Sequence, residues 1–292
     1  MKNMVAQKKL SGGKQVKEMS FIEHLEELRW HLVRACLSVL ICSVVAFMNR
    51  SVIFDEIILW PKDPNFWTYE KLNQMMAWIH EQLPFIESSS FNIRPIEIQN
   101  IMMSGQFSTH IKVSIVMGFI LAFPYVFYQV WGFVRPALYN TEKRVASGAV
   151  FVSSLLFIVG VLFGYFIILP LSLQFLAGYE VSSQVSNQIQ LSSYIGTVTS
   201  IVFSGGVVFE LPVIAFFFSK IGLLTPEFMR TYRKHSYVAL LLLSAIITPP
   251  DVFSQVLVCI PLVFLYEVSI YISRAVNKKQ KYDFDDDLED LD

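Results

Sequence analysis

The sequence predicts an all-α polytopic membrane protein, with six transmembrane helices forming a concave bundle whose fifth and sixth spans are short. Three observations carry this. Hydrophobic residues make up 54% of the 292 residues and charged residues only 16%, against roughly 25% charged in a soluble domain. Phenylalanine alone occurs 25 times and the mean hydropathy is +0.50. That is more apolar surface than a chain of this size can bury within itself, so lipid must be its solvent. The apolar residues are also gathered into six runs, about 32–48, 111–131, 146–169, 194–219, 236–248 and 252–273.

A helix needs about 20 residues to cross a hydrocarbon core of about 30 Å, which the third and fourth runs supply. The fifth run is brief and ends at Pro249-Pro250, because proline lacks the donor and clashes with the preceding turn. Two prolines in lipid need a turn where water reaches the freed carbonyls, so two spans are expected rather than one long insertion. Bases mark one side of the membrane. Lys2, Lys8, Lys9, Lys14, Lys17 and Arg29 precede the first span, and Arg135, Lys143 and Arg144 follow the second. Lys220, Arg230, Arg233 and Lys234 follow the fourth, and Arg274, Lys278, Lys279 and Lys281 the sixth. Connections 171–193 and 249–251 contain neither Lys nor Arg. Both termini are therefore expected in the cytoplasm, in agreement with an even number of spans.

The domain reading has three parts. Residues 1–19 are a basic, flexible segment with no removable signal peptide apparent. Residues 20–273 form the membrane domain, and the acidic stretch 274–292 is expected to be a disordered tail. The first outer connection carries extra chain at about 60–95, punctuated by Trp60-Pro61, Asp63-Pro64 and Phe66-Trp67. It reads as a folded cap with a short helix from Thr68 to Gln82. Cys36, Cys42 and Cys259 lie in apolar runs without metal or CxxC spacing, so they are expected to be small packing residues. No cofactor, metal or nucleic acid is expected.

Four segments carry chemistry-bearing residues. Met19 to Arg29 reads MSFIEHLEELR, and Tyr128 to Arg144 reads YQVWGFVRPALYNTEKR. Phe209-Glu210-Leu211-Pro212 interrupts the fourth run, and Thr248 to Gln255 reads TPPDVFSQ. In this order and spacing, over roughly residues 20–273, the chain resembles the TatC family, the multispanning signal-peptide receptor of the twin-arginine protein translocase. The resemblance implies a receptor in the cytoplasmic (inner) membrane that binds twin-arginine signal peptides of folded precursors. It implies assembly with single-span subunits of the TatA/TatB type into a multimeric complex, and export driven by the proton-motive force. No covalent catalysis is expected.

Two adjacent guanidinium groups are best met by carboxylates in bidentate geometry. The resemblance assigns signal-peptide binding to Glu27 and Glu142, with Phe133, Arg29, Pro136 and Leu138 around them. The residues themselves also allow Glu27 to pair with a neighbouring base and Glu142 to be solvated. On a helix from Ser20, residues Phe21, Leu25, Leu28 and Leu32 form one stripe, read as the packing face. Glu23, Glu27, Trp30 and Arg34 fall on the other side.

Glu210 is an ionisable residue in mid-span, which marks a functional hypothesis because an unpaired charge in lipid costs several kcal/mol. The resemblance implies a polar contact for partner subunits at Glu210, and Gln255 is its analogue in the sixth run. The alternative is an internal hydrogen bond to a Ser or Thr on a neighbouring helix. Asp251, after Pro249 and Pro250, could be a plain turn former, and the resemblance implies a structural cap needed for assembly. An enzyme is disfavoured: Ser204-Gly205-Gly206 is a weak nucleophile string, no His lies mid-span, and there is no HExxH pair. A secondary transporter with an ion site at Glu210, Gly205-Gly206 and Pro212 is the stronger rival.

Overall fold

The computed structural model describes residues 21–82, 94, 96–134, 145–182, 184, 187–248 and 252–289. Helix α1 spans Phe21–Met48, and a π-helical turn Val52–Ile58 and a 3-10 turn Trp60–Lys62 lead to α2 at Trp67–Gln82. A two-residue strand β1 (Ile98–Gln99) precedes α3 (Gly105–Val134). Helix α4 (Val145–Phe163) continues through a π-helical turn, Gly164–Ile168, into α5 (Leu169–Gly178). Strand β2 (Ile189–Gln190) opens α6 (Leu191–Val208), followed by α7 (Leu211–Lys220), α8 (Pro226–Thr231), α9 (Arg233–Ile247) and α10 (Val252–Glu289).

Among the described residues, five helical segments are long and apolar enough to cross a membrane: Leu25–Met48, Gly105–Phe133, Gly148–Gly178, Leu191–Lys220 and Gln255–Lys278. They correspond to five of the six apolar runs. The fifth run is α9, whose 15 residues rise only about 22 Å, short of the hydrocarbon thickness as its sequence implies. The sixth run corrects the expectation of a second short span. Its span is 24 residues long, because the apolar run continues through Pro261 with Glu267 as its one charge. With no Gly or Pro after Pro261, nothing in the sequence stops the helix, and α10 runs to Glu289, into the stretch expected to be disordered.

The face by which α1 packs is not the one expected. Leu25, Leu28 and Leu32 are exposed. The buried and half-buried side is Glu27, His31, Ala35, Ser38, Cys42, Ser43 and Ala46, and it lies along α3. The physical reason is the solvent: lipid tails are as apolar as leucine, so small residues that let backbones approach make the helix contacts. A methyl group at Gly118 of α3 would sit 2.5 Å from the backbone nitrogen of Ser43. The α4–α6 contact follows the same rule, since a Cβ at Gly160 would lie 2.4 Å from the carbonyl oxygen of Gly205. Cys42 shares the α1 packing face, whereas Cys36 is exposed and does not pack as expected.

The helix expected over 68–82 is α2, and its start is anchored in the core. Phe66 and Tyr69 are fully buried. The Tyr69 hydroxyl lies 3.0 Å from the Pro61 carbonyl and 3.2 Å from that of Pro170. Tyr165 donates to Ile57 O at 2.6 Å and Tyr194 to Ile58 O at 2.8 Å, so three buried tyrosines hold the polar backbone of this turn. Beside them, β1 and β2 pair in parallel, Ile98 with Ile189 and Gln99 with Gln190.

Candidate functional site

The first turns of α1 carry the acids. Glu26, Glu27, Trp30, His31 and Arg34 line a surface depression of about 490 Å³. Arg29 does not take Glu27. It pairs with Glu26 at 3.3 Å, one turn back, and its guanidinium lies 5.7 Å from the Trp30 ring centre. Glu27 is half-buried and has no ion pair among the described residues. The sequence reading missed His31, whose Nδ1 lies 2.6 Å from Oε1 of Gln129 on α3. Its spacing of four from Glu27 was the available signal, since residues at that interval share a helix face.

Of the residues expected to complete this site, Phe133 is half-buried near the end of α3. Glu142, Pro136 and Leu138 lie outside the described residues, as do Arg135, Lys143 and Arg144. Asp251, Pro249 and Pro250 also lie outside them.

Glu210 sits where the fourth apolar run breaks into α6 and α7. Pro212 offers no backbone donor, so the ladder is interrupted there, and a new helix starts with Val213 and Ile214 donating to the Glu210 carbonyl at 2.9 and 3.0 Å. The side chain is 7% exposed, and the fully buried Ser153 of α4 donates to its Oε2 at 2.6 Å. The internal hydrogen bond weighed for this residue therefore exists. The second oxygen, Oε1, is buried and has no hydrogen-bond partner among the described residues.

Gln255 gives its Nε2 to the carbonyl oxygen of Leu241 at 3.2 Å, which ties α10 to α9. At the start of α9, the helix pair holds an acid that the sequence reading did not single out. Glu267 of α10 accepts from Arg233 at 2.8 Å and from the Tyr237 hydroxyl. Beside them, Ser236 donates to Tyr266, whose hydroxyl donates to Met229 O. Polar side chains of α10 thus hold the short α9 at its start and at its middle.

The family model described as Sec-independent protein translocase protein (TatC) matches residues 23–261. The chain is 40% identical over 263 residues to the protein of that name from Blattabacterium, covering 90% of this chain and 98% of the relative. It is 34% identical over 264 residues to the one from Aquifex aeolicus, again covering 90% and 98%. A crystal structure of the twin arginine translocase receptor TatC in DDM superposes with a TM-score of 0.67 at 35% identity, covering 86% of this chain and 99% of the other.

Proposed function

This chain belongs to the TatC family, and from that premise we propose that it is the receptor of a twin-arginine translocation system. It binds the twin-arginine signal peptides of folded precursors and nucleates assembly with single-span subunits of the TatA/TatB type. It performs no covalent chemistry, and the proton-motive force drives transport. Both termini face the cytoplasm, so that the acid pair Glu27 and Glu142 meets the peptide at the inner surface of the cytoplasmic membrane. The secondary-transporter alternative has no support in the family to which the chain belongs.

One observation carries the site assignment. Glu26 pairs with Arg29 at 3.3 Å, which leaves Glu27 as the carboxylate of the depression without an ion pair among the described residues. A half-buried carboxylate without a counter-charge attracts a cation, and a guanidinium is the cation whose fork matches it. Glu142 supplies the second carboxylate, with Phe133, Pro136 and Leu138 as the apolar ledge for the signal peptide. Partner helices take polar contacts at Glu210 and from the end of the Gln255 amide not given to Leu241. Asp251, with Pro249 and Pro250, serves assembly.

The test is peptide binding to purified protein. Glu27→Ala and Glu142→Ala should each weaken an Arg-Arg peptide by about 1.5–3 kcal/mol, the range for a charge-assisted hydrogen bond, with the protein still folded. Equal affinity of the wild type for Arg-Arg and Lys-Lys peptides would defeat bidentate recognition.

A further inference from the structure

Resting on the receptor reading above, we propose that His31 is a second recognition group for the arginine pair, with its Nε2 accepting a hydrogen bond from a guanidinium whose charge Glu27 meets. His31 lies one helical turn beyond Glu27 and lines the same depression. Its ring is pinned to α3. Nδ1 stands 2.6 Å from Oε1 of Gln129, and Gln129 is itself 4% exposed. Gly132, one turn along α3, makes room for the ring, since a Cβ there would sit 3.1 Å from Cε1 of His31.

This pinning sets the chemistry of the other nitrogen. A carboxamide oxygen only accepts, so Nδ1 carries the proton, and in the neutral imidazole Nε2 is then an acceptor. The depression thus presents an anionic and a neutral acceptor one turn apart, and a pair of donor-only guanidinium groups needs both. The charged groups around the ring are Glu26, Glu27 and Arg34 on its own helix, with Glu26 already taken by Arg29. From α3 the ring meets Gln129 and Gly132, neither of which titrates.

Two variants separate recognition from positioning. His31→Asn keeps an N–H donor near Nδ1 but loses the acceptor at Nε2. His31→Gln places an amide oxygen near Nε2 but gives up the bond to Gln129. Affinity for an Arg-Arg signal peptide is measured with the full chain in nanodiscs, at pH 7.5. His31→Asn should lose about tenfold and His31→Gln no more than about threefold at pH 7.5. The opposite order of the two variants would show that His31 only positions α1, and would overturn the assignment. So would no effect of either substitution. A wild type that binds no Arg-Arg peptide at pH 7.5 would instead sink the receptor reading, and this assignment with it.

Discussion

The bond between Ser153 and Glu210 lends itself to a quantitative test. Both side chains are buried, at 0% and 7% exposure, and the hydroxyl reaches Oε2 at 2.6 Å. With Oε1 already lacking a partner among the described residues, Ser153→Ala leaves the whole carboxyl without a donor from α4. Stranding a buried acceptor costs about 1–3 kcal/mol. Glu210→Leu strands the serine instead, but it also removes a carboxyl that is expensive to bury, so its net cost should be smaller. The double variant loses both groups and escapes both penalties, so the two single effects should fail to add by about 1–2 kcal/mol. The assay is thermal and denaturant unfolding of the four proteins in detergent, without any partner. Additivity within about 0.5 kcal/mol would show that the pair is not coupled and would refute the reasoning. Variants of Glu210 also decide whether this residue takes part in a partner contact. Glu210→Gln should retain partner co-purification and Glu210→Leu should lose it, and intact co-purification with Glu210→Leu would sink the partner contact. Loss of transport in Glu210→Gln as complete as in Glu210→Leu would point to a proton relay instead, since neither titrates.

Topology is tested with single cysteines: at Ser183 or within 60–95 they should react with an impermeant thiol reagent in intact cells, and at Asn140 they should not. Labelling at Asn140 would reverse the orientation. Gly205→Leu should block the α4–α6 contact, because even a Cβ there would meet the Gly160 carbonyl oxygen at 2.7 Å; a monodisperse variant with wild-type melting would contradict this packing. Burial pushes the Tyr69 phenol up to about 12 from 10.0. The folded state therefore favours its neutral form, and this contribution to stability is complete below pH 10 and fades as pH rises toward 12. Tyr69→Phe should remove that alkaline loss, at a cost of about 1 kcal/mol near neutrality from the lost hydrogen bond, read as melting temperature against pH.

Much of this architecture was legible in the chain because lipid imposes a demand that a linear sequence can display. A span must be apolar for a set length, so five of the six runs could be read as spans and the fifth as too short. The cap helix was legible too, since Thr68 to Gln82 is a helix-length stretch bounded by proline and aromatic punctuation. What the sequence left open is which groups meet. The reading of α1 chose the wrong face because an apolar stripe marks the interior only when the solvent is water; in lipid the small residues Ala35, Ser43 and Ala46 turn inward. His31 meets Gln129 across 98 residues of chain, and Ser153 meets Glu210 across 57. No local period signals contacts of that kind. Lipid alone determined how many residues cross and where they stop, and that is written in composition. Which face turns inward, and which acid finds which hydroxyl, was decided by how closely α4 and α6, or α1 and α3, approach at their glycines, and that distance exists only in the folded molecule.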